Sequence, residues 1–270
     1  KAAEKSYLVG LKLNNKSAIL LYNIALLYAS QHNYPKAVIY YERSIKIDAS
    51  NKFTLDNLAS AYKELGEFDK AIKLYQEALK KDRNFSQAHF NLSLVLLLKK
   101  PSAQAWEKYE YRLKKNIEQI DKIKDVPEWD GSNLKSKSLL IICEQGIGDS
   151  VQFIRYVKKI KKDNTKIFLL IKKNLNFLFQ KIDGIDKILV SENSIPTIDY
   201  YVPLMSLPFI FRQNLNVPDA FNFIVPDKKI DKYWKEKLNN NKTKIGIVWQ
   251  GPPDHNRSDF KRSIPLSLLK

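Results

Sequence analysis

The chain has 270 residues, of which 44% are hydrophobic and 28% are charged, a composition typical of a globular protein with one or two domains. No apolar run reaches the ~18 residues of a membrane span, and the first residues lack the apolar core of a secretion signal, so we expect a soluble, cytoplasmic protein. A single cysteine, Cys143, excludes an intrachain disulfide and a multi-cysteine metal site. The scattered histidines, His32, His89 and His255, argue against a histidine-rich metal centre, so we predict no metal site.

The net charge is +17, from 46 basic and 29 acidic residues. Such a charge is common among nucleic-acid-binding proteins. Only seven of the basic residues are arginine, however, and arginine is the residue that binds phosphates and bases in bidentate fashion. The lysines are spread along the whole chain, which favours compositional drift over a nucleic-acid partner. The positive field still favours acidic or phosphorylated ligands.

Similar residues recur every 34 positions in the first part of the chain. Small residues let two antiparallel helices approach closely, and aromatic residues fill the space between successive helix pairs. The small positions are Ala25, Ala59 and Ser93, and then Ala37, Ala71 and Ala105; the aromatic positions are Tyr28 and Tyr62, and then Tyr41, Tyr75 and Tyr109. Residues 33–34 and 66–68 supply the turns. The period predicts a repeated helix–turn–helix unit.

These residues resemble the pattern of the tetratricopeptide repeat (TPR), a 34-residue helical hairpin. We predict three units and a partial first one over residues 1–118. Because the chain opens inside the second helix of a unit, we expect it to be a piece of a longer repeat array. The resemblance implies an α-solenoid whose concave face binds a protein or a peptide.

The composition changes after the repeats. Residues 119–136 are predicted to be a linker, and residues 137–243 an α/β domain. Apolar runs at 139–143, 166–171, 187–190 and 200–204 predict strands, and residues 174–182 and 227–238 predict helices. Their alternation predicts a Rossmann-like, doubly wound sheet.

The first strand-to-helix turn, residues 144–149 (EQGIGD), carries the residues best suited to chemistry. Its two glycines allow close approach of a ligand. A dinucleotide fingerprint would need a third glycine, and a Walker loop would need Gly-Lys-Ser/Thr, so neither fits. Asp149 is either a general base for a substrate hydroxyl or a cap of its own helix, and spacing leaves both open.

Several motifs resemble bacterial TPR proteins with a glycosyltransferase-like domain. They are residues 127–131 (PEWDG), 144–149, 152–156 (QFIRY), 248–253 (VWQGPP) with His255, and 262–266 (RSIPL), together with WEKYEYR at 106–112. The domain is similar to the heptosyltransferases of glycosyltransferase family nine, whose GT-B fold has two facing Rossmann domains. The resemblance implies that residues 137–243 are the acceptor-side half of such a fold.

The resemblance also implies roles for residues. Asp149 corresponds to the catalytic base of an inverting, metal-independent transferase. Arg262 corresponds to the residue that meets the donor phosphates, and Arg257 competes for that role. Ligand-binding residues are then Gln145, Gly146, Gly148, His255, Arg257 and Arg262, although His255 is also explained as a loop hydrogen-bonding residue. The implied substrates are a nucleotide-sugar and an acceptor hydroxyl, with no cofactor.

By the same resemblance, a strand at 244–249 would be the first strand of the donor-side domain. We therefore expect residues 244–270 to be the start of a truncated second Rossmann domain. We also expect this chain alone to be inactive in sugar transfer. The alternative function is a TPR scaffold for protein–protein interaction with a degenerate α/β domain.

Overall fold

The computed structural model describes residues 2–114, 123–160, 163–176, 178–179, 182–211, 228–239, 243–247 and 264–269. The chain divides into two compact units, Lys1–Ile224 and Val225–Lys270. The first unit contains the helical repeats and a parallel sheet. The predicted boundaries at 118, 136 and 243 stay predictions.

Helices fill residues 2–114 in pairs, as the 34-residue period predicts. They are α1 (Ala2–Leu13), α2 (Ala18–Ser30), α3 (Tyr34–Ile47), α4 (Lys52–Glu64), α5 (Phe68–Lys81), α6 (Ser86–Lys99) and α7 (Ala103–Tyr109). A short 3-10 helix, Glu110–Lys114, follows α7. Helices α2 and α3, α4 and α5, and α6 and α7 form successive hairpins.

Capping side chains and left-handed turn residues set where these helices begin and end. Ser17, Asn33 and Asn51 each accept a backbone hydrogen bond from the first turn of α2, α3 and α4. Gly66, in the turn between α4 and α5, has φ +79°, and His32, which lies 34 residues earlier, has φ 59°. The two hairpins therefore share one turn geometry, although only Gly66 adopts it without steric cost.

The recurring small and aromatic residues form the repeat core. Ala25, Ala37, Ala59, Ala71 and Ala105 are fully buried. The aromatic residues Tyr41, Tyr75 and Tyr109 are exposed by only 1%, 0% and 8%. This confirms the predicted packing of small against large residues between helices.

Thr54 is a buried polar residue of α4 whose hydroxyl is left without a partner. It is fully buried, and its Oγ1 has no hydrogen-bond partner in the described part of the chain. Thr54→Val keeps the shape and removes the unsatisfied hydroxyl, so we expect the free energy of unfolding to rise by about 1–2 kcal/mol. Urea unfolding measures it, with Thr54→Ser as the control that keeps the hydroxyl. A valine variant less stable than the parent would contradict the prediction.

The sheet has four parallel strands in the order β3-β2-β1-β4. They are β1 (Ser138–Ile142), β2 (Lys166–Leu170), β3 (Lys187–Leu189) and β4 (Tyr200–Pro203). Helix α8 (Ile147–Phe153) follows β1, and a 3-10 turn (Leu204–Ser206) with α9 (Leu207–Ile210) follows β4. All four predicted strands are confirmed, and the predicted helix after the glycine loop begins at Ile147.

Strand β1 is buried on both faces, as its unbroken apolar run predicts. Leu139 and Ile141 belong to a core cluster that also contains Trp106 of α7 and Phe153 of α8. Leu140 and Ile142 belong to a second cluster on the opposite face. The last repeat therefore packs directly against one face of the sheet region.

Two predicted elements are wrong where they are described. The described residues of 174–182, which are 174–176, 178–179 and 182, show a 3-10 turn (Lys173–Leu175) and no α-helix. Residues 243–247 form neither helix nor strand, and Ile245 is 80% exposed, so the buried strand predicted at 244–249 is not formed there.

The second unit contains α10 (Lys228–Lys237), which confirms the helix predicted at 227–238 in its described part, and a 3-10 turn, Leu266–Leu269. None of the helices in the described ranges is long and apolar enough to cross a membrane.

Candidate functional site

The strand order defines a crevice at the carboxyl ends of β1 and β4. From β1 the chain moves to one side to build β2 and β3, and then returns to the other side to build β4. In open parallel sheets, ligands bind outside the carboxyl ends of the strands at such a reversal. The glycine loop follows β1 and the Leu204–Ser206 turn follows β4, so both border this crevice.

Asp149 lies in the first turn of α8 and caps that helix. The backbone N–H of Gly146 donates to Asp149 Oδ2 at 3.1 Å, and Ser150 Oγ donates to the Gly146 carbonyl at 3.0 Å. The side chain of Asp149 is half-buried. The structure thus shows the capping interpretation, and the role of Asp149 as a base stays a prediction.

The two glycines of the loop differ in their surroundings. A Cβ at Gly146 would lie 3.2 Å from Asp149 Oδ2, whereas a Cβ at Gly148 would meet no atom within 4 Å. Neither has the positive φ that demands glycine. Gly148 therefore leaves open space beside the start of α8. The neighbouring Gln145 accepts a hydrogen bond at its carbonyl from Lys172 Nζ, 3.2 Å away.

A buried arginine links the last repeat to this crevice. Arg112, in the 3-10 helix after α7, has a side chain that is only 4% exposed. Its Nη1 donates to Glu110 Oε1 at 2.6 Å, and its Nη2 donates to Glu144 Oε1 at 2.9 Å and to Ser206 Oγ at 2.8 Å. Ser206 in turn donates to Glu110 Oε2 at 2.7 Å. Arg112 thereby holds the repeat, the loop after β1 and the turn after β4 together.

Burial and charge act against each other in this Arg112 cluster, which we define as Glu110, Arg112, Glu144 and Ser206. Burial raises the pKa of Glu144, and the Arg112 guanidinium opposes that rise. The Glu144 side chain is only 1% exposed, and its Oε2, like Arg112 Nε, has no hydrogen-bond partner within the described ranges. Two carboxylates thus depend on one guanidinium for compensation.

The last repeat also faces the helix that carries Asp149. The rings of Trp106 and Phe153 meet edge to face with centroids 5.6 Å apart. Phe153 follows Asp149 by four residues, so the two side chains share one side of α8. Tyr109 packs on Trp106 at 5.6 Å, and the Arg112 guanidinium lies 4.7 Å from the Tyr109 ring. Burial raises the pKa of Tyr109 to about 12, with Arg112 opposing and Asp149 adding to the rise. Asp149 thus lies on the same side of α8 as Phe153, the residue that contacts Trp106 of the last repeat.

The other predicted residues lie elsewhere. His255, Arg257 and Arg262 fall outside the described residues. Cys143 is buried beside β1, and burial raises the pKa of its thiol to about 12, which keeps the thiol protonated. Across the described ranges, no group of three or more histidine, cysteine or acidic side chains could hold a metal ion.

Sequence reasoning missed the Arg112 cluster, although Glu110, Arg112 and Glu144 all stand in motifs singled out for their resemblance. The nearest signal was the pair of charged residues directly after the buried Tyr109. That signal does not predict which residues Arg112 binds, because one of its partners, Ser206, is 94 residues away in the sequence.

Comparisons with known proteins match the repeat region. Two family models, both described as tetratricopeptide repeat, match residues 16–84 and 57–116. A search of the curated proteins gave no match.

Among solved structures, MamA is 20% identical, with a TM-score of 0.40, over 42% of this chain and 66% of its own. The first TPR domain of Spaghetti (RPAP3), bound to an HSP90 peptide, is 23% identical, with a TM-score of 0.36, over 40% of this chain and 88% of its own. An O-GlcNAc transferase from Thermobaculum terrenum is 12% identical, with a TM-score of 0.40, over 71% of this chain and 38% of its own. This chain thus spans less than two thirds of the MamA and transferase chains. Residues 16–116 consist of tetratricopeptide repeats.

Proposed function

We propose that the repeats bind a peptide or protein segment on the exposed side of α2 and α4, the first helices of two successive hairpins. We call this surface the inner face and define it by Ile19, Leu26 and Phe53. These apolar side chains are 72%, 36% and 53% exposed. Ile19 and Leu26 are seven residues apart, on one side of α2, and Phe53 occupies in α4 the position of Ile19 in α2. The observation that carries the proposal is this apolar stripe across two consecutive first helices.

A ladder of side-chain hydrogen bonds holds the first helices at a fixed spacing. Asn57 Nδ2 of α4 donates to Tyr22 OH of α2 at 3.0 Å. One repeat later, Asn91 Nδ2 of α6 donates to Asp56 Oδ1 of α4 at 3.1 Å. Both residues of the second pair lie 34 positions after the corresponding residues of the first pair, so the same contact is repeated. A surface held in this way loses little conformational entropy on binding, which favours affinity.

Binding is tested with a labelled peptide in which leucine alternates with aspartate, and with the same peptide carrying lysine for aspartate. Because the chain has a net charge of +17, we expect the acidic peptide to bind more tightly, and its Kd to rise with salt. Phe53→Ser should raise the Kd by about tenfold or more, the effect of losing an aromatic anchor. Fluorescence anisotropy measures both.

The matched control is Ile39→Ser, since Ile39 is 55% exposed but lies on the second helix α3. Equal losses from Phe53→Ser and Ile39→Ser, or a preference for the basic peptide, would contradict the proposal.

Sugar transfer is the second function that we propose, with Asp149 accepting the proton of an acceptor hydroxyl. The supporting observation is that Asp149 lies in the first turn of α8, directly after the loop that borders the crevice where the strand order reverses. The resemblance to family nine supplies the nucleotide-sugar donor, and His255, Arg257 and Arg262 as its ligands. The rate of sugar transfer by Asp149 variants tests this function.

A further inference from the structure

A groove lies between α3 and α5, the second helices of the α2–α3 and α4–α5 hairpins. It is on the side of the repeats that does not carry the inner face. Helices α3 and α5 form its walls, and α4 lies beneath. The floor is apolar: Leu58 is 3% exposed and belongs to the repeat core, and Ile45, Tyr62 and Leu74 pack against that core. The groove has a volume of about 460 Å³, within the ~300–1,000 Å³ typical of ligand-binding clefts.

Tyr62 is fixed at the centre of the groove. Its hydroxyl donates to Glu42 Oε1 at 2.5 Å, and Lys70 Nζ lies 5.2 Å from the centre of its ring. Burial, with the help of the Glu42 carboxylate, raises the pKa of Tyr62 to about 12, so the hydroxyl remains a donor. The floor is therefore held in place before anything binds, which reduces the cost of binding.

The rim of the groove is positive. Three lysines, Lys46, Lys70 and Lys73, line it against two glutamates, Glu42 and Glu77. Tyr62 already engages Glu42, and Lys70 lies 3.4 Å from Glu67. Lys46 and Lys73 are exposed and make no ion pair within the part of the chain that the structure describes, although Lys73, after Lys99, helps to lower the pKa of Asp69. These two ammonium groups flank an apolar floor and are available to carboxylates.

We propose that this groove binds a segment of a partner protein in which a large apolar side chain stands next to acidic residues. The apolar side chain fills the cavity over Leu58 and Leu74, where it removes apolar surface from water. The carboxylates then pair with Lys46 and Lys73, which fixes the register of the segment. The groove is a second docking surface, separate from the inner face, and its existence does not depend on binding there.

The test uses the full chain carrying Phe53→Ser, which removes the aromatic anchor of the inner face, and the labelled leucine–aspartate peptide, so that the binding that remains belongs to the groove. Reversing both free rim charges, in Lys46→Glu/Lys73→Glu, should raise the Kd by about tenfold or more, since two attractions become repulsions. The control Lys12→Glu/Lys16→Glu makes the same change in net charge at exposed lysines outside the groove. Because this control alters only the general field, we expect its effect to stay below about twofold at physiological salt.

A second variant, Leu74→Trp, fills the groove without changing charge, and it should also abolish binding while thermal melts show a folded chain. The proposal is overturned if the groove pair and the control pair change the Kd equally, or if neither changes it. It is also overturned if sedimentation shows that the chain dimerises and that Lys46→Glu/Lys73→Glu separates the copies. Complete loss of peptide binding in Phe53→Ser, before any residue of the groove is changed, would also overturn the groove and leave the inner face standing.

Discussion

Replacing Arg112 with methionine should lower the free energy of unfolding by about 3–5 kcal/mol, because the buried carboxylate of Glu144 and the partly buried one of Glu110 lose the cation that compensates them within the described ranges. The Glu144 side chain is 1% exposed, so water cannot replace the guanidinium there, whereas the Glu110 side chain, at 18%, is only partly hydrated. Three hydrogen bonds to Glu110, Glu144 and Ser206 are lost as well. Chemical unfolding followed by circular dichroism measures the change.

The triple variant Arg112→Met/Glu110→Gln/Glu144→Gln is the matched control. It removes the stranded charges, so it should recover a large part of the lost stability. Arg112→Lys should recover little, since one ammonium group cannot reproduce the fork that reaches three partners. If Arg112→Met unfolds like the parent, the cluster does not hold the repeat against the sheet.

The repeat region could be predicted from sequence because its packing is local and periodic. Each hairpin buries the same small residues, such as Ala37 and Ala71, against the same aromatic residues, such as Tyr41 and Tyr75. A 34-residue period therefore reports the contacts directly. The strands could also be predicted from sequence. A continuous apolar run such as residues 139–142 is typical of a strand that is buried on both faces of a parallel sheet, and these residues are buried.

The errors have physical causes. Leu175, Phe179 and Ile182 follow the spacing of one helix face, and all three are buried, yet none of the three is assigned to an α-helix. Apolar spacing shows which residues point inward, and several backbone paths satisfy it. Residues 244–249 are apolar enough for a strand, but in the described part, 244–247, Ile245 and Ile247 are exposed and no strand is formed.

Only part of the candidate site could be predicted from the sequence. The glycine loop is recognisable from its local composition, so Asp149 and Gly148 could be identified as candidate residues. The contribution of the repeat could not, because Arg112 and Glu144 are 32 residues apart and meet only once the repeat has packed on α8. Whether a charged residue is solvated or buried depends on that tertiary contact, and no local pattern records it.

Asp149→Asn should lower the rate of sugar transfer by about 10²- to 10⁴-fold, because asparagine cannot accept the proton of an acceptor hydroxyl. Folding should change by less than about 1 kcal/mol, since the asparagine oxygen can still accept the hydrogen bond from the Gly146 N–H. Transfer from radiolabelled nucleotide-sugars and thermal melts measure the two effects separately.

Two further variants separate a base from a helix cap. Asp149→Ala removes both functions, so it should lose activity and about 1 kcal/mol of stability. Gly148→Ala meets no protein atom and should stabilise α8 by about 0.5–1 kcal/mol, but its methyl group would block a ligand that approaches the loop. If Asp149 only caps its helix, Asp149→Asn keeps the full transfer rate and Asp149→Ala loses stability alone. That pattern would remove Asp149 from the chemistry and leave the repeats as the functional part of the chain.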